Sequence, residues 1–598
     1  MSQSRSFYAV VSAGLLSLVA ACDGGGGGSN STDVPSTPPG VTACVPGSDV
    51  IGAWKVISNN NTFVPGSTQN KFFSYNQPSI NSNGLLVFRG RARGATGSEG
   101  SGGSGGMSRG VFGVDACPPS PKLYTVADTS TLVPAPNNTA AVFTEFPSIP
   151  RIDLNEAVMA TRGQSKPVWT LSDGTRLGTS GVYVSTTTGL STGIGLLGGV
   201  PDFSYMQVPN AANPGTKFDQ FPGSPSVTNG KYVVFKGNYT DLDTDGVTTI
   251  SRTGVYFRDL SVTNSPVQMI ADSKTLIPGI DPATPFGSTA PPSAANGQVA
   301  FVGLDNEDAP TAGGLYLAPI AATPTLTALV QIGQTVVTDS AGDPLADNPT
   351  FTQLGEGLAF DGRYIAFWGA WGTETRDVTL TCPTDGNADL IAACQQQYPP
   401  DGVTTKPVPV NQGIFLYDSV RKKLWMVARA GTAEQFQDFL YWVFSGSPGT
   451  TGGSGGSGES GPTDAEPPRW RASAFAAVDG TRGVVFKGSL MPAEGFTPPT
   501  SGIYGAAFTG STVGSVFKIA EVDDNIAPID PTAPADSTIT ALGIERESLR
   551  GGWLTITAST LDPLGESWAG IYTTYFPGAF HVIDAVEPGK VGTLVLGN

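Results

Sequence analysis

Pro225-Ser226-Val227, then Val234-Phe235-Lys236-Gly237, then Gly254-Val255-Tyr256: these phrases decide the fold, because each returns elsewhere along the chain in the same order. The third, a Gly-aliphatic-aromatic phrase, recurs as Gly110-Val111-Phe112, Gly181-Val182-Tyr183, Gly314-Leu315-Tyr316, Gly413-Ile414-Phe415, Gly502-Ile503-Tyr504 and Gly570-Ile571-Tyr572. Copies stand mostly about 60 to 75 residues apart, with two wider gaps. Self-similarity at such a period marks a repeat architecture.

The flanking phrases lay each unit out as short strands between turn residues. A first strand follows a Pro-Ser pair, as at Pro78-Ser79-Ile80, Pro147-Ser148-Ile149 and Pro292-Ser293-Ala294. A second ends in aromatic-x-Gly, as at Phe88-Arg89-Gly90, Phe301-Val302-Gly303, Phe367-Trp368-Gly369 and Phe486-Lys487-Gly488. The Gly-aliphatic-aromatic phrase is the third, and stretches such as 123–128 and 516–520 supply a fourth. Four antiparallel strands per unit predict an all-β fold built from the blades of a β-propeller. Two units depart from the pattern, with Thr161-Arg162-Gly163 and Ile556-Thr557-Ala558 in the second-strand position. At the ends, 40–44 aligns with a third strand, 54–57 with a fourth, and 590–597 with the start of another unit. Joining these predicts eight blades, one of them split between the termini; seven blades with an extra N-terminal hairpin is the alternative.

The order of the phrases (PSI, NG, VAF-G, GVY, VAD) resembles a repeat found in uncharacterised secreted and anchored bacterial β-propeller proteins. That resemblance covers roughly the whole mature chain and implies a fold, not an activity. Residues 1–21 read as a signal peptide, with Arg5, an apolar run from Phe7 to Leu18, and Val19-Ala20-Ala21 before Cys22. This resembles the bacterial lipobox, which implies lipidation of Cys22 and attachment to a membrane through the lipid alone. Residues 22–39, rich in Gly, Ser and Pro, read as a flexible tether, and 40–598 as the propeller, with insertions at 91–109, 370–412 and 445–468. An exported, membrane-anchored protein facing the periplasm or the cell surface is expected. Cys44, Cys117, Cys382 and Cys394 then form an even set in an oxidising compartment. Cys382 and Cys394 bracket a short loop and are expected to pair, leaving Cys44 for Cys117.

Composition narrows the partners. With 78 Gly, 48 Pro and a net charge of −17, the chain lacks the clustered Lys and Arg that phosphate backbones require, which argues against nucleic acid. In a propeller the loops after the second and fourth strands emerge on one face. The long inserted segments fall there, so that face is the expected functional surface. One of these loops carries Asp241, Asp243 and Asp245 before Gly246, hard oxygen ligands at the spacing of calcium loops, although Arg252 stands where the closing Glu would be. Asp305, Glu307 and Asp308 occupy the matching loop of the next unit as weaker candidates for a structural calcium site.

Catalytic groups are sparse. His581 is the sole histidine, outside the decorated loops, and Glu374 and Asp377 are weak candidates for a carboxylate pair. Trp368, Trp371, Trp442 and Trp470, with Arg376, gather around the most elaborated unit, where aromatic faces could stack on sugar rings or pack the insertion. The expected function is a binding module for a glycan or a protein partner through the decorated face; the alternative is a glycan-active hydrolase or lyase using carboxylates in the central funnel.

Overall fold

The computed structural model describes residues 46–47, 51–93, 108–136, 141–165, 169–170, 176–177, 180–186, 189–243, 245–384, 388–431, 436–446, 468–491, 500–580, 582–583 and 592–594. Cys22, Cys44 and His581 lie outside them, as do the signal and tether segments. The described strands form seven antiparallel units of the β-propeller kind, each running outward from a short inner strand. In the third unit Ser226–Thr228, Tyr232–Leu242, Thr249–Asp259 and Gln268–Asp272 follow one another in space as in sequence. The inner strands are broken by a kink, and in the third unit the stretch before it is held by a bridge between Gln220 and Asn238. In the first unit Lys71–Tyr75 pairs with the far half of Leu85–Arg93, and Ser79–Ile80 with its near half.

The repeat phrases are explained by a contact between rings. The Gly of each aromatic-x-Gly lies beneath a Phe from the first half of the inner strand, so that a Cβ at Gly90, Gly163, Gly237, Gly303, Gly369 or Gly488 would stand 2.5–2.9 Å from Phe72, Phe143, Phe218, Phe286, Phe351 or Phe436. The same Phe meets the third-strand aromatic nearly edge-on, with centroids 4.7 Å apart at Phe143–Tyr183 and 5.2 Å apart at Phe286–Tyr316. Such pairs add about 0.5–1.5 kcal/mol beyond burial. The seventh unit has no such Phe, and there Ala558, paired with Gly570, stands in the glycine's place.

Neighbouring units are sewn together by the Pro-Ser and turn residues. Ser79 Oγ donates to the Pro150 carbonyl at 2.8 Å, Ser226 to Pro292 at 2.9 Å, Ser293 to Leu358 at 2.9 Å and Ser548 to Pro78 at 3.1 Å. The turn carboxylates Asp153, Asp361 and Asp479 accept from the N–H of Gly230, Gly480 and Gly552 in the following unit at 2.8–2.9 Å. Seven hydrophobic clusters fill the seams, each shared by two consecutive units, so that among the described residues every unit is packed on both sides.

The chain ends close the ring differently from the eight-blade expectation. Lys55–Asn59 is indeed a fourth strand, but it pairs with the Gly570–Thr573 stretch as the outer strand of the seventh unit. Gly592–Leu594 does not begin a new unit; it pairs in parallel with Phe517-Lys518 on the outer edge of the sixth. Among the described residues no strands remain for an eighth, and no helix is long and apolar enough to cross a membrane.

Candidate functional site

The kink residues of the inner strands form the collar of a funnel on the ring axis. It encloses about 410 Å3 and is lined by Gln77, Ser148, Ser224, Glu356 and Arg546 from the kinks and by Arg89, Arg162 and Lys236 from the second strands. Arg89 and Lys236 are the x residues of their aromatic-x-Gly phrases, and Arg162 holds the same position in Thr161-Arg162-Gly163. With the aromatic and the Gly committed to one face of the sheet, strand alternation sends x to the other, where a long side chain reaches the axis.

Cationic character prevails in the funnel although the whole chain is acidic. Arg89 is 1% exposed and Lys236 9% exposed. Arg89 lies 3.4 Å from Glu145, which also binds Arg109. Arg162 and Lys236 have no ion pair among the described residues. The Nε atoms of Arg162 and Arg89 are buried without a hydrogen-bond partner. Burial pulls Arg162 down to about 10, with no carboxylate to oppose it. Burial, reinforced by the charge of Arg151, likewise takes Arg546 to about 10.

The carboxylates near the axis are mostly occupied. Arg151, 1% exposed, donates from Nη1 to both Glu547 oxygens at 2.6 and 2.5 Å and from Nη2 to Glu545 at 2.9 Å, tying the second unit to the seventh below the funnel. Glu307, at the mouth, is bound by Arg469 and stands 4.0 Å from Arg471. Glu356 is the exposed exception.

An arch overhangs the mouth. The kink of the sixth unit is expanded into a hairpin, Tyr441–Ser445 paired with Arg469–Ser473. Register places Trp442 opposite Ala472 and Phe444 opposite Trp470, on the face away from the funnel; Ser445, Arg471 and Ser473, on the other face, line it. Arg469 ties the arch across the axis to Glu307 and to Asp308, at 3.1 Å from the latter. Beneath the arch Lys487, 4% exposed, sets its ammonium 4.0 Å from the Tyr441 ring centroid and 5.4 Å from that of Phe475, and burial lowers its pKa to about 8.

The insertion of the fifth unit buttresses this arch. Its hairpin, Thr375–Thr381 with Val403–Pro409, carries the helix Ala388–Gln397 and the Cys382–Cys394 disulfide, whose Cα atoms are 5.8 Å apart. Cys382, Leu390 and Cys394 bury Phe444, with Tyr398 and Trp470 packed against them. Cys117 is also disulfide-bonded.

The aromatic candidates therefore divide by packing. Trp368 and Trp371 are each 4% exposed. Trp368 donates its indole N–H to Gln412 at 2.8 Å, and Trp371 packs edge-on against Phe415 with Arg429 over its ring. Neither presents a face for a sugar. Trp470 meets Phe444 at 5.5 Å, Trp442 is half-buried on the same side of the arch, and Arg376 clamps Asp438. Glu374 and Asp377 are exposed on the outer hairpin, away from the funnel.

The acidic loop is similarly dispersed. Asp241 is buried and binds Lys274 at 3.1 Å, while Asp245 folds back on the N–H groups of Val247 and Thr248 at 2.8 Å. Asp305 accepts from Thr311 and Ala312 N–H groups at 3.0 Å, and Glu307 and Asp308 serve Arg469. Among the described residues no three His, Cys, Asp or Glu side chains converge as a metal site would require.

No family model matches the chain, and no curated protein matches it. Among solved structures, the β-propeller domain of the Trilobed protease from Pyrococcus furiosus is similar over 87% of this chain and 100% of its own, at 8% identity and a TM-score of 0.32. The acylaminoacyl peptidase of Pyrococcus horikoshii is similar over 82% of this chain at 9% identity and a TM-score of 0.31, and the match spans 49% of that protein. A glycoside hydrolase is similar over 54% of this chain and 88% of its own, at 8% identity and a TM-score of 0.20. Likeness this distant says nothing of activity, and the propeller assignment rests on the strand pairing itself.

Proposed function

We propose that the chain is an exported, lipid-anchored β-propeller that acts as a binding module, taking a glycan or a protein partner on its decorated face with the central funnel as the seat. The observation that carries this reading is the funnel: a concavity of about 410 Å3, the size of a small-ligand pocket, lined by residues of all seven units. Fold alone does not assign a function; the reading rests on this site. Binding is favoured over hydrolysis because Glu545 and Glu307, two of the funnel's carboxylates, are already held by arginines, which leaves Glu356 without a matching acid or base.

The test is to incubate the full chain, purified in detergent, with a panel of polysaccharides and to follow both partners by size-exclusion chromatography. Co-elution at unchanged polymer length is the expected result. Shortened polymer would replace the binding reading with the enzymatic one, and silence across the panel would turn the search to protein partners.

A further inference from the structure

Given that the funnel is the binding seat, the premise of the proposed function, its chemistry also selects the class of ligand. Three basic side chains from consecutive units, Arg89, Arg162 and Lys236, end on one wall. Arg162 and Lys236 have no counter-ion among the described residues, and Arg89 shares its Glu145 with Arg109. The Nε atoms of Arg162 and Arg89 are buried at this wall without a hydrogen-bond partner and ask for one, while Arg89 Nη2 faces Glu145 at 3.4 Å. The axial ion pairs do not provide it, because Arg151 takes up both Glu545 and Glu547.

We infer that the funnel is an anion seat, and that its ligand is a carboxylate-bearing saccharide, such as the uronic-acid end of an oligosaccharide. Charge selects the anion, and the guanidinium fork favours a planar carboxylate that accepts paired N–H bonds. The rest of the lining selects the saccharide: Gln77, Ser148, Ser224, Ser445 and Ser473 offer neutral hydrogen-bonding groups suited to hydroxyls. Size excludes a folded partner from the seat itself, since about 410 Å3 admits one end of a chain and not a domain. Long-range attraction does not recruit this ligand, because the net charge is −17; the selectivity is local to the funnel.

The experiment is titration calorimetry on the full chain in detergent with three probes: a galacturonate trimer, the neutral galactose trimer, and citrate as a free acid without a sugar. The galacturonate trimer is expected to bind, weakening as salt is raised, with the galactose trimer at least about tenfold weaker. Arg162→Gln is expected to weaken the acidic trimer about tenfold or more and to leave the galactose trimer unmoved. Lys236→Gln, a second removal that strands no carboxylate, should act in the same direction, and Lys122→Gln, exposed and outside the funnel, should do nothing. Unchanged melting temperatures for these variants separate lost contacts from lost fold. Equal affinity for both trimers would overturn the anion inference while leaving a glycan-binding funnel in place. Citrate bound at least as tightly as the acidic trimer would overturn the saccharide part, and no binding of any probe would overturn the inference outright.

Discussion

Replacing Arg151 by Met tests the axial ion network most severely. The wild-type side chain is fully enclosed and makes charge-assisted bonds of 2.5–2.9 Å to Glu547 and Glu545 across the first unit. Met preserves the bulk and removes the charge, leaving Glu545 and Glu547 at 6% and 4% exposure with only the looser contacts of Arg546, 3.5 Å from the former, and Arg550, 4.0 Å from the latter. Removing one partner from a buried pair costs about 3–5 kcal/mol, because the other charge is stranded. The loss must also depend on pH. Burial on its own would raise the Glu547 carboxyl, but the charges of Arg151 and Arg550 outweigh it and hold the group below the usual glutamate range. A carboxylate so depressed contributes stability above its unfolded value and loses it as pH falls through the folded one. In the variant burial dominates and the carboxyl shifts upward. The destabilisation is therefore largest near pH 7 and shrinks toward about pH 5, as protonation discharges the stranded group. Urea unfolding followed by tryptophan fluorescence at both pH values measures this. A difference below about 1 kcal/mol at pH 7, or one that does not change with pH, would refute the reasoning.

Gly303→Ala should cost about 1–3 kcal/mol in the same assay, since its Cβ would stand 2.5 Å from Cε1 of the enclosed Phe286 ring, whereas the exposed Gly199→Ala should stay within about 0.5 kcal/mol. Ser293→Ala removes the 2.9 Å bond to the Leu358 carbonyl between the fourth and fifth units and should lower stability by about 1 kcal/mol. Burial holds Lys487 at about 8, so above that pH the native state releases a proton that the unfolded chain keeps; stability should rise with pH from there toward the ordinary lysine range. Lys487→Met should flatten that slope in melting temperatures taken from about pH 7 to 10.

The blades were legible because their signals are local. A Gly that must admit a Phe ring and an aromatic that must meet its edge recur at fixed offsets in six of the units, so the phrases carry the strand order with them. Ring closure was not legible. Lys55 pairs with Thr573, and nothing in either segment names the other, so similarity to a third strand at 40–44 suggested an extra blade. The fate of the tryptophans was equally hidden, because side-chain facing in an inserted hairpin depends on its register: Trp470 opposite Phe444 faces the disulfide-linked insertion, and its neighbour Arg471 faces the funnel. The funnel cations stand in plain sight, in the position just before the Gly that ends each second-strand phrase. What concealed them was the net charge of −17, which directs attention to acidic loops, while a few arginines on one axis are diluted in any composition.

The most direct test of the central claim, that the axial funnel is the ligand seat, is a crystal structure of the protein grown with saturating galacturonate trimer. The account predicts density for a sugar in the funnel with its carboxylate against Arg162 and its hydroxyls toward Ser148 and Ser473. Sugar seated instead on the outer hairpin near Glu374 and Asp377, or an empty funnel beneath an occupied arch, would contradict it.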